Sequence, residues 1–276
     1  MKPAAFDYVR VDSADEAVNM LAQYGQDAKI LAGGQSLMAM LNFRLAQPKV
    51  LVDISRCTSL DYSRVEGGHL VVGAAATQAS IEWRPALAKE VPLLDLVFPS
   101  ISHFQVRNHG TVCGSIAHAD PSAELPLCLT ALGGEVILRS RSGHRILKAD
   151  DFFTGMLTTA LGPDEIVEEV HFPLADSRAG YAFEEVAMRH GDFAVAAVAA
   201  VVTPSSIALT VGGVADRPVR KTWPLLSDAD MEGELNDFSW ELQAQNDIHA
   251  SAKYRRRLVR CLGQKLIIRA RNEALR

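Results

Sequence analysis

Long hydrophobic runs, paired cysteines and an excess of positive charge are all absent from this chain of 276 residues. The longest apolar run, residues 193–202, is much too short to cross a membrane. The N-terminus lacks the basic segment and apolar core of a signal peptide, so we expect a cytoplasmic protein without a membrane span. The formal net charge of −5 argues against nucleic acid as a partner.

The usual metal-binding motifs are missing as well. The four cysteines form no CxxC pair, which disfavours an iron–sulfur or zinc site in this chain. They are Cys57, Cys113, Cys128 and Cys261. The three clustered histidines have spacings of six and nine residues, which do not place them on one helical face, and no HExxH motif is present. They are His103, His109 and His118. We therefore predict no metal site, and no Ser–His–Asp pattern indicates a hydrolase.

Two adjacent glycines, Gly33 and Gly34, interrupt the stretch KILAGGQSLMAMLNFRLA at residues 29–46. An apolar strand is predicted before them and a helix over residues 37–46 after them. Glycines permit positive φ and leave room for a ligand, and a helix start offers free N–H groups, which together suit a phosphate. An ordinary strand–turn–helix connection is the alternative, and neither a P-loop nor a GxGxxG pattern is present.

A second stretch, QVRNHGTVCGSIAHADPSAELP from residue 105, is rich in glycine and hydroxyl residues. A loop of this composition can wrap a ligand with N–H and hydroxyl donors, and Asp120 and Glu124 can accept from ribose hydroxyls. Pro121 fits the first turn of a helix predicted over residues 122–132. The alternative interpretation of Asp120 is an N-cap for that helix.

The segments AGGQS at 32–36 and TVCGS at 111–115, the latter followed by IAHADPSAELP, resemble the two FAD-binding motifs of one family. This family is the medium, flavoprotein subunit of molybdenum hydroxylases, which includes the carbon monoxide dehydrogenase medium subunit and the FAD domain of xanthine dehydrogenase. The resemblance extends from PAAFDYVRVDSADEAV near the start to VGGVADRPV near residue 219. Both motifs at this spacing are specific, whereas either motif alone is not.

The resemblance implies FAD as the cofactor, with its diphosphate at residues 32–36 and the flavin and ribose near the second motif. For three residues an alternative to cofactor binding remains open. Lys29 can be an exposed lysine at the end of a strand, and Ile101 and Leu161 can be ordinary core residues. Phe193 stands where relatives often carry Tyr or Trp near the flavin ring. The expected cofactor-binding residues are Lys29, Ile30, Leu31, Ala32, Gly33, Gly34, Gln35, Ser36, Leu37, Ile101, Thr111, Gly114, Ser115, His118, Asp120, Glu124, Leu161, Asp192 and Phe193. No catalytic residue is expected, because the cofactor carries the redox chemistry.

The resemblance also implies the role of an electron-transfer subunit. A large partner subunit would hold the molybdenum cofactor and hydroxylate a small substrate, and a small partner subunit would hold two 2Fe–2S clusters. The assembly would be a dimer of heterotrimers, and the substrate an aromatic N-heterocycle or a carbon monoxide-like or purine-like compound. Two alternatives remain open: a self-sufficient FAD-dependent oxidoreductase of the same flavin fold, and a non-catalytic assembly protein.

The element pattern predicts an α+β fold. Residues 1–177 are expected to form a two-part FAD-binding domain, with a small βαβαβ unit over residues 1–56 and a larger α/β layer over residues 57–177. Residues 178–276 are expected to form a C-terminal domain with three antiparallel strands and helices at 223–226 and 249–275. The arginines of the last helix, including Arg255, are predicted to form a solvated face or a partner contact.

Overall fold

The computed structural model describes residues 2–275 and begins with a small parallel sheet of three strands. Its elements are β1 (Asp7–Arg10), α1 (Ala14–Tyr24), β2 (Ala28–Leu31), α2 (Leu37–Asn42) and β3 (Val50–Asp53). Strand β3 lies in the centre, parallel to both neighbours. The predicted βαβαβ order is confirmed. Helix α2 ends at Asn42 rather than residue 46, because Arg44 takes a φ of 57° that a right-handed helix cannot contain.

Helix α1 follows from its local sequence. The Ser13 hydroxyl accepts from the Glu16 N–H at 3.2 Å, and the Glu16 carboxylate accepts from the Asp12 N–H at 3.0 Å. This exchange satisfies donors that the start of a helix would otherwise leave unpaired. Ala17, Val18 and Leu21 recur at helical spacing and are buried, so the helix lies with one apolar face against the sheet.

An antiparallel sheet of five strands forms the second layer, in the order β4-β5-β10-β6-β7. The elements of this part are β4 (Ser63–Glu66), β5 (His69–Gly73), α3 (Gln78–Glu82), α4 (Leu87–Glu90), α5 (Pro92–Val97), α6 (Phe104–Arg107), α7 (Val112–His118), α8 (Glu124–Leu132), β6 (Glu135–Ser140), β7 (Gly143–Lys148), α9 (Ala149–Phe152), β8 (Phe153–Gly155), β9 (Thr158–Thr159) and β10 (Ile166–Pro173). The hairpin predicted around residues 142–143 is confirmed as β6–β7.

Much of the second motif is helical, which corrects the predicted loop. Thr111 starts α7, because its hydroxyl accepts from the Gly114 N–H at 3.0 Å. Ala119 ends the helix with a φ of 53°. The next helix, α8, begins at Glu124 rather than residue 122, so Pro121 precedes its first turn.

The C-terminal part is an antiparallel sheet of four strands in chain order with two helices. Its elements are β11 (Gly180–Ala187), β12 (Ala194–Val202), β13 (Ser206–Gly212), β14 (Val219–Pro224), α10 (Asp228–Glu241) and α11 (Ala252–Ala274). The three predicted strands and the last helix are confirmed. The helix predicted over 223–226 is wrong. Trp223 lies in β14, where it pairs with Ile207 of β13, and it donates its indole N–H to Glu234. Helix α10 was not predicted.

Helix α11 lies directly on the C-terminal sheet. A Cβ placed on Gly180 of β11 would lie 1.8 Å from the Ala270 carbonyl oxygen, so only glycine permits this approach. Val259, Leu266 and Ile267 form the buried stripe. Arg255 is only 6% exposed, which makes the prediction of a solvated arginine wrong at this position.

Strand β12 belongs to two hydrophobic cores. Its residues Ala197 and Ala199 lie in the core of the first two layers, whereas Ala196 and Val198 lie in the core beneath α10 and α11. Alternate residues of a strand face opposite sides, so the C-terminal sheet is covered on both faces. The α+β class is confirmed, and the domain boundary at residue 177 stays a prediction. Within residues 2–275 no helix has the length and apolar character to span a membrane.

Candidate functional site

The two glycine motifs, far apart in sequence, are in contact. Gly34 has a φ of 70°, which favours glycine. A Cβ added to Gly33 would lie 2.1 Å from the His109 carbonyl oxygen, immediately before the second motif. A Cβ added to Gly114 would lie 4.0 Å from the Ala32 side chain. The turn after β2 therefore rests against the start of α7, and Gly33 is required by close approach of two backbones.

The first motif presents unpaired backbone donors. Within the described chain, the N–H groups of residues 33–37 donate to no protein acceptor, and the first N–H to do so is that of Met38, to the Gly34 oxygen at 3.0 Å. The Ser36 hydroxyl also has no partner there, and the Gln35 amide only turns back to the Gly33 oxygen at 3.1 Å. Five successive free N–H groups beside a free hydroxyl are a set of donors suited to phosphate oxygens.

The second motif is held in place by a neighbouring segment. The Gly110 oxygen accepts from the Gln78 N–H at 2.7 Å, and Thr111 forms a β-bridge with Thr77. Thr111 is buried, and its hydroxyl is engaged by the Gly114 N–H. The hydroxyl of Ser115 is half-buried and free of protein partners among residues 2–275. Ser115 is therefore the side chain of this motif whose hydroxyl forms no hydrogen bond within the described residues.

Asp120 forms a tight turn between α7 and α8. Its carboxylate accepts from the Ser122 N–H at 2.8 Å. The alternative that Asp120 caps α8 is wrong, since the N-cap position is occupied by Ala123. The second carboxylate oxygen stays available to a ligand. Burial lowers the pKa of His118, although the charge of Asp120 acts in the opposite direction. The lowered pKa favours a neutral imidazole at neutral pH.

Two carboxyl groups, the buried Glu124 and the half-buried Glu185, lie near this turn. Burial, reinforced by the charge of Glu185, raises the pKa of Glu124 to about 8. Burial alone raises the pKa of Glu185 to about 7, and one of its oxygens has no hydrogen-bond partner among the described residues. At neutral pH Glu124 is mainly protonated, so its carboxyl group can both donate to and accept from a ligand hydroxyl.

A cleft of about 1120 Å³ is lined by this turn and by the ends of β12 and β13. Asp120, Asp192 and Phe193 all line the cleft, and Phe193 is 64% exposed. Gly191 has a φ of 83°, and a Cβ there would lie 3.0 Å from the Ser102 oxygen. The turn that carries Asp192 and Phe193 thus lies beside Ile101, which is itself buried.

The structure places the predicted residues in two groups. The glycine turn meets Gly114 in one group, and Asp120, Asp192 and Phe193 share the cleft in the other. Leu161 is half-buried against the main core, and Lys29 is exposed. Gln78 and Arg255 were not singled out from the sequence, and Gly110, although part of the second stretch, was not among the expected cofactor-binding residues. The HG dipeptide before Thr111 was an available signal for Gly110, whereas the arginine run around Arg255 indicated only solvent exposure.

Comparison with known proteins agrees with these features. A family described as "FAD binding domain in molybdopterin dehydrogenase" matches residues 4–175. Caffeine dehydrogenase subunit beta from Pseudomonas sp. strain CBB1 is 39% identical over 73% of this chain and 69% of its own length. Nicotine 6-hydroxylase medium subunit from Paenarthrobacter nicotinovorans is 36% identical over 98% of this chain and 99% of its own.

Solved structures extend the likeness to the C-terminal sheet. Carbon monoxide dehydrogenase from Hydrogenophaga pseudoflava aligns with a TM-score of 0.93 at 30% identity, covering 99% of both chains. The predicted resemblance is confirmed over the full chain, and the fold and the oxidoreductase assignment with it. This chain belongs to the family of flavoprotein subunits that carry the FAD binding domain of molybdopterin dehydrogenases.

Proposed function

We propose that this chain is an electron-transfer subunit that binds FAD across its two glycine motifs. One observation carries the proposal: residues 33–37 present five successive free N–H groups against the start of the second motif. The start of any helix leaves its first N–H groups without an intrahelical acceptor, and here the row of free donors extends back through the turn to Gly33. Negative phosphate oxygens fit these donors.

Different residues of the chain would bind different parts of the cofactor. Residues 33–37 and the hydroxyls of Ser36 and Ser115 would bind the diphosphate. Asp120, with one free carboxylate oxygen, and the protonated Glu124 would bind ribose or ribityl hydroxyls. Apolar contact with the ring system would come from Ile101, Leu161 and Phe193, with Asp192 nearby. When bound, FAD supplies the capacity to accept and release one or two electrons, and the protein supplies orientation and exclusion of water.

The expected partners follow from the relatives. The nicotine relative is named as a medium subunit, and the carbon monoxide dehydrogenase structure is described as a form that lacks the Mo-pyranopterin moiety of its molybdenum cofactor. We propose the same division here: a large molybdenum subunit that hydroxylates the substrate, a small subunit with two 2Fe–2S clusters, and a dimer of heterotrimers in the cytoplasm. Electrons would pass from the clusters to this chain and then to an external acceptor.

An aromatic N-heterocycle is the proposed substrate of the complex. Two of the relatives are named for caffeine and nicotine, which are both N-heterocycles. The carbon monoxide dehydrogenase has a nearly identical chain fold despite a very different substrate. The support for an N-heterocycle is thus the names of relatives, because substrate selection would take place in the large subunit.

The decisive experiment is to release and identify the chromophore of the full chain, purified alone and with its partner subunits. Gly33→Ala is expected to abolish FAD retention, since the new Cβ would lie 2.1 Å from the His109 oxygen. Gly233→Ala is the matched control, because a Cβ at Gly233 meets nothing within 4 Å. Circular dichroism checks that both variants fold. A colourless wild-type protein that cannot be reconstituted with FAD, even with its partners, would overturn the proposal.

A further inference from the structure

Arg255, near the start of α11, is the most deeply buried charged group of the C-terminal helix. The residue is 6% exposed, and its guanidinium donates to the Val195 oxygen at 2.8 Å and to the Gly213 oxygen. A third bond joins it to the Asp247 carboxylate, which is itself 46% exposed. One planar guanidinium thus holds the start of β12, the residue after β13 and the segment before α11.

These contacts reach the second motif through one residue, Gly213. The Gly213 N–H donates to the Pro121 oxygen at 2.7 Å, and Pro121 follows Asp120. A Cβ on Gly213, whose φ is 74°, would lie 2.7 Å from the Ala194 oxygen. Because Ala194 directly follows Phe193, the same small region fixes both the Asp120 turn and the Asp192–Phe193 turn. Arg255 lies at the centre of this region and lines the cleft.

Stability alone is a poor explanation for this arrangement. Burying a charge is costly, and well-packed apolar side chains often replace buried ion pairs without loss of stability. Arg255 also leaves its Nε–H buried without an acceptor among residues 2–275, a cost that an apolar side chain would avoid. The guanidinium instead fixes the relative positions of the Val195 and Gly213 oxygens, because its planar N–H groups donate in fixed directions.

We propose that Arg255 is a positioning residue of the cofactor site: it holds the Asp120 turn and the Asp192–Phe193 turn in register so that both face one bound cofactor. The inference rests on the proposed FAD function. Arg255 touches neither the cofactor motifs at residues 32–36 nor the substrate. Its effect is transmitted through Val195 and Gly213. The C-terminal helix would thereby determine the positions of the two turns that face the cofactor.

The test compares Arg255→Met with Arg271→Met in the full chain reconstituted with FAD. Arg271 lies on the same helix, donates to Asp228 and the Leu226 oxygen, and does not line the cleft. Three readouts are needed: the FAD dissociation constant from flavin fluorescence, the visible circular dichroism of bound flavin, and the melting temperature. We expect Arg255→Met to raise the dissociation constant about tenfold and to change the visible dichroism. We expect Arg271→Met to lower the melting temperature without either effect.

Arg255→Lys and Asp247→Asn keep the inference testable if Arg255→Met does not fold. Lysine retains the charge but not the planar fork, so an altered flavin dichroism is expected; Asp247→Asn leaves both carbonyl contacts and should have a smaller effect. Unchanged affinity and dichroism in the folded Arg255 variants would overturn the inference. Equal changes in Arg271→Met would also overturn it, because they would show a general loss of stability. A wild-type chain that takes up no FAD would instead contradict the proposed function itself.

Discussion

Residues 32–37 and the strand ends around Gly213 form two parts of the proposed cofactor site, and they differ in what holds them in place. The first part has local donors: they are the backbone N–H groups of the turn itself, and the one distant contact it needs is the approach of Gly33 to His109. The second part is long-range, since Gly213 contacts Pro121 and Arg255, which are distant from it in sequence. A local backbone site depends on a few glycines, whereas the second depends on the whole C-terminal layer.

The largest expected effect comes from displacing helix α11 from the C-terminal sheet. Gly180→Ala would place a Cβ 1.8 Å from the Ala270 oxygen and push α11 away from β11. We expect a loss of about 3 kcal/mol in the free energy of unfolding, measured by urea denaturation of the chain without cofactor. If the comparison is right, Gly233→Ala leaves stability nearly unchanged. A Gly180→Ala variant as stable as wild type would show that α11 tolerates displacement.

A pH titration of stability probes the buried carboxyl behind the Asp120 turn. The pKa of Glu124 is raised from its ordinary value of 4.5 to about 8, so the folded state binds a proton that the unfolded state releases. Unfolding free energy is therefore expected to fall as pH rises from 4.5 to about 8.

Glu124→Gln should flatten this dependence and make the variant the more stable protein above pH 8. Urea unfolding at pH 5, 6.5 and 8 provides the measurement. Glu185 has a pKa raised to about 7 and contributes a slope of the same sign, so some dependence should remain in the variant. An unchanged slope in Glu124→Gln would mean that Glu124 is ionised in the folded protein.

The smallest effect concerns single hydroxyl groups in the local part of the site. Ser36→Ala removes a hydroxyl that has no partner among the described residues, so stability should not change. The dissociation constant for FAD should rise about fivefold, which corresponds to one hydrogen bond. Ser140→Ala, which alters the β6–β7 hairpin, is the control. Equal FAD affinity for Ser36→Ala and wild type would assign diphosphate binding to the backbone alone.

Elements whose structure is set by neighbouring residues were predictable from the sequence. The turn at Gly33, the helix capped by Ser13 and the β6–β7 hairpin all depend on short-range signals, and each is present. The predicted contact between FAD and individual residues stays a prediction. The two FAD-binding motifs were identified from the sequence, and the structure adds that Gly33 lies against His109.

The errors arose where distant contacts override local patterns. Trp223 was assigned to a helix, but pairing with Ile207 and a hydrogen bond to Glu234 keep it in a strand. Arg255 lies within a run of three arginines, which in most helices is a solvated face; acceptors contributed by other elements bury it here. For Trp223 the partners Ile207 and Glu234, and for Arg255 the oxygens of Val195 and Gly213, all lie more than ten residues away in sequence.

The sharing of β12 between two cores has a consequence for how the chain acquires its structure. With Ala197 on one side and Val198 on the other, this strand is stabilised only when both layers are present. We expect the two halves to fold and unfold in a single cooperative transition. A fragment that stops before β12 would leave α8 without the strand that covers it. We therefore expect the residues before β12, expressed alone, not to fold as an independent unit.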